Sequence, residues 1–158
     1  MGLLEKIKAL SEQYSGEVVE SRRHLHENPE LSYQEYNTVK YVAGKLKSFG
    51  IPVREGIATT GLVAEIKGRN AGQKTIALRA DMDALPIAEA NDVPYKSKVS
   101  GVMHACGHDA HVAIGLAVAE RLARRRHEFA GGVRYVFQPR EEGLGGARRM
   151  VEGGTLDG

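Results

Sequence analysis

Gly101-Val102-Met103-His104-Ala105-Cys106-Gly107-His108-Asp109-Ala110-His111 runs straight into Val112-Ala113-Ile114-Gly115-Leu116-Ala117-Val118-Ala119, and this junction decides how the chain is read. Its first part holds the only cysteine and three of the six histidines. Cysteine sulfur and histidine nitrogen are favoured zinc donors, so Cys106 and His108 are candidate metal ligands. The alternative is a buried structural cysteine beside solvated histidines. The run from Asp109 to about His127 predicts a helix: Val112, Leu116, Ala119 and Ala123 share one face, and Ile114, Val118 and Leu122 another. No Asp, Glu, Lys or Arg falls between Ala110 and Ala119, so this half is expected to be buried nearly all round. The Cys106–His108 segment, if extended, points both side chains the same way. The helix N-terminus behind it is expected to favour the thiolate.

Strands flank this helix. Gly61 to Lys67 and Lys74 to Ala80 read as two strands, with Asn70-Ala71-Gly72-Gln73 as a hairpin loop between them. Val133 to Gln138 reads as a third, ended by Pro139. If strands 74–80 and 133–138 share a sheet across the helix, they run parallel. Asp81, Asp83, Cys106, His108, Glu141 and Glu142 then meet at one sheet edge, where ligand sites of α/β folds gather. Asp81-Met82-Asp83 is otherwise a polar turn. Glu141-Glu142 is otherwise a solvated surface pair. At a site edge, one glutamate binds metal while the other stays free as general base for an attacking water.

Upstream, Leu3, Ile7, Leu10, Tyr14 and Val18 predict an amphipathic helix from about Leu3 to His26, loosened at Gly16. Asn28-Pro29 ends it. His24 and His26 read as cations at its C-terminus; two apart on a helix, they face different ways. Ser32-Tyr33-Gln34-Glu35 has capping-box spacing and predicts a second helix starting there. Its apolar face is Val39, Val42, Ala43, Leu46 and Phe49, and Gly50 and Pro52 stop it. Glu89 to Ser100 reads as a polar loop, and Gly145 to Val151 as the start of a further helix.

With 158 residues, 42% hydrophobic and 27% charged, the chain is expected to form one soluble domain with its own core. A net charge of +2 gives no basic excess for nucleic acid. The Arg124-Arg125-Arg126-His127 cluster reads as a solvated helix end. A single cysteine excludes an internal disulfide and suits a reducing compartment. The N-terminus has no long apolar run, so the expectation is a cytoplasmic protein without a membrane span.

Four segments together resemble one family: Arg23 to Ser32, Arg79-Ala80-Asp81-Met82-Asp83-Ala84-Leu85-Pro86-Ile87, Met103 to His111, and Phe137 to Ala147. That family is the metal-dependent amidohydrolases, which includes hippurate hydrolases, N-acetyl-diaminopimelate deacetylases, auxin-conjugate hydrolases and archaeal carboxypeptidases. The resemblance implies an α/β fold, a layered sheet with helices. It identifies residues 1–158 as the N-terminal part of a zinc-peptidase-like catalytic domain, incomplete and without the family's lid domain. It implies a two-metal hydrolase of N-acyl amino acids or C-terminal peptide bonds, with zinc favoured and cobalt, manganese or nickel as alternatives. By motif position Cys106, His108 and Glu142 match metal ligands, Glu141 matches the general base, and Asp81 and Asp83 match supporting residues. Arg140 departs from the small residue that usually precedes the glutamate pair, placing a cation beside Glu141. Family members carry further ligand histidines beyond the motifs found here. The isolated chain is therefore expected to be impaired, and to self-associate or pair with a C-terminal half. A non-catalytic, metal-binding or pseudo-enzyme half is the alternative reading.

Overall fold

The computed structural model describes residues 2–70 and 74–157. Its elements in order are α1 (Leu3–Glu27), α2 (Tyr36–Ser48), β1 (Val53–Ile57), β2 (Gly61–Lys67), β3 (Thr75–Asp81), α3 (His108–Arg124), β4 (Gly132–Gln138) and α4 (Gly146–Glu152). The four strands form one sheet in the order β1-β2-β4-β3. β3 and β4 are parallel, in register from Thr75–Gly132 to Asp81–Gln138, as the strand–helix–strand reading requires. β4 is antiparallel to β2, and β2 to β1.

Alternation along the strands builds a core on each face. Leu62, Ala64 and Ile66 of β2 and Val133, Tyr135 and Phe137 of β4 face α1, α2 and α3. Val63 and Val136 point the other way, onto Ile57 and Met150 of α4. Val42 and Leu46 of α2 and Ala119 of α3 are fully buried in the larger core. Each buried side chain of Val or Leu size contributes about 1.5–3 kcal/mol relative to leaving it in water. α1 runs unbroken through Gly16.

Four expectations change. The hairpin between residues 61–67 and 74–80 does not form, because β4 pairs with both strands and separates them; loop residues 71–73 lie outside the described residues. β1 was not foreseen. Its Val53-Arg54-Glu55-Gly56-Ile57 lacks alternation, and its hairpin turn uses Ala58 and Thr59, both with positive φ (49° and 78°), instead of the glycine or asparagine that usually marks such a turn. α3 stops at Arg124 and buries one stripe only. Val112, Leu116 and Ala119 are inside, while Ile114 and Val118 are 54% and 39% exposed, because α3 belongs to an outer helical layer. Finally, α2 begins at Tyr36 and the Ser32–Glu35 capping box is not made. Glu30 supplies the cap: its carboxylate accepts the Asn37 and Thr38 N–H groups at 3.1 and 2.8 Å.

No described helix is long and apolar enough to cross a membrane. Arg124 and Arg125 of the basic cluster pair with Glu120 and Glu128.

Candidate metal centre

The C-terminal ends of the parallel strands β3 and β4 and the start of α3 converge. Asp81 closes β3, and Asp83 follows two residues later. His108 opens α3, and Glu141 and Glu142 follow β4 after Pro139 and Arg140.

Gly107 shapes the Cys106–His108 pair. Its φ is +105°, so the segment is a left-handed turn and not the extended stretch expected from sequence. Glycine adopts this conformation without the clash a Cβ brings. One ligand atom from each of Cys106, His108 and Glu142 lies within 4.8 Å of the others. His108 is buried and Cys106 is exposed. The His108 ring is oriented from behind: Nδ1 donates to the Asp83 carbonyl oxygen at 2.8 Å. Nε2 then faces forward, 3.6 Å from Asp81, 3.8 Å from Glu141 and 3.9 Å from Glu142.

Asp83 is the hub of this edge and is 1% exposed. Its carboxylate accepts the Glu141 N–H at 2.8 Å, the Glu142 N–H at 3.2 Å and the Ser32 hydroxyl at 2.8 Å. Burial alone would raise its pKa. His108, the two amides and Ser32 outweigh that and hold it at about 2. His108 shows the reverse balance: burial lowers its pKa, but Asp83 and Asp81 raise it to about 9. The Cys106 thiol is pushed up, first by its hydrogen bond with Glu142, then by burial and the surrounding carboxylates. The expected thiolate-favouring effect of the helix end is thus outweighed when no cation is bound. The negative field that keeps protons on His108 and Cys106 is also one that attracts a metal cation, so soft sulfur, imidazole and carboxylate together fit a divalent transition metal.

A second triple shares His108. Asp81, His108 and His111 also place ligand atoms within 4.8 Å, and His111 Nδ1 lies 2.5 Å from Asp81 Oδ1. Arg79 holds Asp81 at 2.9 Å and reaches within 4.0 Å of Glu141. Arg140 does not pair with Glu141. Its guanidinium stacks 4.9 Å from the Tyr33 ring centroid.

The remaining histidines stay out of the cluster. His104 is buried with neither ring nitrogen hydrogen-bonded, and burial drives its pKa down to about 4. His24 stacks on Tyr41. His26 is not a solvated helix-end cation: it is 2% exposed and lies 2.7 Å from Asp109 and 3.1 Å from Glu89, with Arg22 also on Asp109. This polar network behind His108 was missed from sequence. Its one available sign was the adjacency of Asp109 to His108.

The comparisons agree with this architecture. Thermostable carboxypeptidase 2 of Saccharolobus solfataricus is 51% identical over 161 residues, covering 100% of this chain and 41% of that protein. Hippurate hydrolase of Campylobacter jejuni is 51% identical over 142 residues, covering 90% of this chain and 36% of that one. The crystal structure of the Bacillus subtilis YXEP protein, described as a dinuclear metal-binding peptidase, superposes with a TM-score of 0.88 at 47% identity. It covers 93% of this chain and 41% of that structure. The chain therefore spans about two fifths of the length of these relatives. The profile of peptidase family M20/M25/M40 matches residues 77–158, from within β3 through the glutamate pair. With the strand–helix–strand edge and its Cys106, His108 and Glu142 cluster, these likenesses show that the chain belongs to peptidase family M20/M25/M40.

Proposed function

We propose that residues 1–158 are the N-terminal part of the catalytic domain of a metal-dependent hydrolase. It acts on amide bonds of N-acyl amino acids or C-terminal peptide bonds, as small cytoplasmic substrates. The observation that carries this reading is the approach of Cys106, His108 and Glu142 within 4.8 Å, with the Glu141 carboxylate 3.8 Å from His108.

Cys106, His108 and Glu142 would hold a divalent ion, with zinc favoured and cobalt, manganese or nickel as alternatives. Such an ion, when bound, would supply Lewis acidity for a nucleophilic water and for the scissile carbonyl. Glu141 would serve as the general base, accepting a proton from the attacking water and passing it to the leaving nitrogen. Asp83 fixes the amides of both glutamates, and its carbonyl keeps His108 in the tautomer whose Nε2 is free to bind. Glu142 is assigned as the ligand, and Glu141 as the base, because Glu142 is the glutamate whose carboxylate lies within 4.8 Å of both the Cys106 and His108 ligand atoms.

Three ligands do not complete a site for two ions, so the chain alone is expected to turn over little substrate. A non-catalytic role, binding metal or pairing with a C-terminal half, is the second reading. It is favoured by the exposure of β3, where Ile76 is 63% exposed. Hydrolysis of N-acetyl and N-benzoyl amino acids, with zinc, cobalt or manganese added, separates the two. Turnover that appears when a family C-terminal half is supplied and is lost in Glu141→Gln supports the hydrolase. No turnover with that half and each metal supports the second reading.

A further inference from the structure

Ser32-x-x-Glu35 has the spacing of a helix cap but does not cap α2, because Glu30 takes the Asn37 and Thr38 amides. Glu35 goes to the loop that carries the glutamate pair, and Ser32 to Asp83, which holds that loop. Ser32 donates to Asp83 at 2.8 Å. Glu35 is fully buried, accepting the Arg140 N–H on Oε1 at 3.1 Å and the Thr60 hydroxyl on Oε2 at 2.5 Å.

The consequence is a run of three backbone donors held by two buried acids. The N–H of Arg140 goes to Glu35, and those of Glu141 and Glu142 go to Asp83. Arg140 has φ +50°, a left-handed conformation unusual for a residue with a Cβ, so it persists only where its surroundings hold it. Glu35 supplies that hold at the first of the three amides. The Glu141 side chain has no ion-pair partner closer than 3.8 Å among the described residues, so its direction follows its backbone. Thr60 anchors the other oxygen of Glu35 to the turn between β1 and β2, so the acid itself is fixed from a rigid hairpin.

We propose that Glu35 is a positioning residue: with Asp83 it sets the backbone of Arg140-Glu141-Glu142 and so aims the two carboxylates at the metal site. This rests on the assignment of Glu141 and Glu142 above, and the two ideas are tested separately.

The test uses the 158-residue chain as Glu35→Ala, Glu35→Gln, Thr60→Val and Leu46→Ala. Leu46→Ala lies in α2, the helix that follows Glu35, and reports general destabilisation. Amide exchange by NMR on the metal-free protein comes first. Glu35→Ala exchanges the Arg140, Glu141 and Glu142 amides about tenfold or more faster than wild type. Glu35→Gln, which keeps an acceptor oxygen, restores them, and Leu46→Ala does not single them out. Thr60→Val removes one anchor of Glu35 and gives a smaller increase at Arg140, so it decides the matter if Glu35→Ala does not fold. Unchanged exchange at these amides in Glu35→Ala, or in Thr60→Val where it stands alone, or the same local acceleration in Leu46→Ala, overturns the proposal.

Cobalt(II) titration is the second arm. In Glu35→Ala the sulfur-to-cobalt absorption of Cys106 remains, the visible bands that report ligand geometry shift, and affinity falls about tenfold. Glu35→Gln behaves as wild type. Bands and affinity unchanged in Glu35→Ala overturn the aiming role. A wild-type chain without sulfur-to-cobalt absorption instead overturns the metal reading, and the exchange arm then decides the backbone role alone.

Discussion

Nδ1 of His108 donates to the main-chain carbonyl of Asp83 across 2.8 Å, while the Asp83 side chain takes the amides of Glu141 and Glu142. One residue thus orients the imidazole through its backbone and the glutamate pair through its carboxylate. Asp83→Ala keeps the first function and removes the second. It strands buried donors, and unfolding in urea should show a loss of about 3 kcal/mol. Zinc affinity should fall by about 10–100-fold, as for other groups that orient ligands. Asp83→Asn, which retains one acceptor oxygen, should lose less of both.

The four site residues should sort by role in metal analysis. Cys106→Ala, His108→Ala and Glu142→Gln each remove a donor and should reduce bound zinc to a minor fraction. Glu141→Gln should retain it. In an enzyme completed by a C-terminal half, Glu141→Gln should lose turnover all the same. Zinc lost in Glu141→Gln and retained in Glu142→Gln would show the pair assigned backwards.

Gly107→Ala isolates the backbone contribution. A Cβ there meets no atom within 4 Å, so the cost comes from φ +105° alone. The expected destabilisation is about 1–2 kcal/mol in chemical unfolding. Zinc binding should weaken too, since relaxation of this turn separates Cys106 from His108.

Glu89 makes stability acid-sensitive away from the metal site. Burial would raise its pKa, but the Ser97 amide, His26 and Asn91 outweigh it and hold it at about 2. The folded pKa lies below the usual glutamate value. Its contribution is therefore present at neutral pH and is lost as pH falls from about 4.5 toward about 2. Urea midpoints measured across that window should fall less steeply in Glu89→Gln than in the parent.

The open flank of β3 predicts self-association of the isolated chain. Among the described residues β3 pairs only with β4, and Ile76 and Leu78 are 63% and 36% exposed. Exposed apolar edges recruit other strands. Light scattering at rising concentration should show oligomers that Ile76→Lys reduces. A stable monomer at high concentration would contradict this.

The convergence of the site was legible because two strands of a strand–helix–strand unit end on the same side. That rule brings Asp81, Asp83, His108 and Glu141 together although they lie far apart in sequence. The roles within the glutamate pair came from family resemblance alone, because adjacency in sequence does not say which of Glu141 and Glu142 faces Cys106. The order of strands was not legible. Residues 61–67 and 74–80 look like a hairpin locally, and only tertiary pairing shows β4 inserting between them. The Ser32–Glu35 spacing misled for a similar reason. A local capping signal says nothing of Glu30 closing the helix first, or of Asp83 and the Arg140 amide claiming the two side chains. His26 and Asp109, 83 residues apart, meet where no local pattern could foretell it.

The Asp83 hub also dates the site in the life of the chain. Ser32 reaches it across 51 residues, and the Glu141 amide across 58. A ribosome-bound chain that has not yet released β4 has no such hub, and Cys106 and His108 then stand without Glu142. The Cys106, His108 and Glu142 cluster is consequently complete only in the finished sheet. An ion that needed all three donors would favour the native state over the unfolded one, as a latch on a finished sheet and not a seed for it.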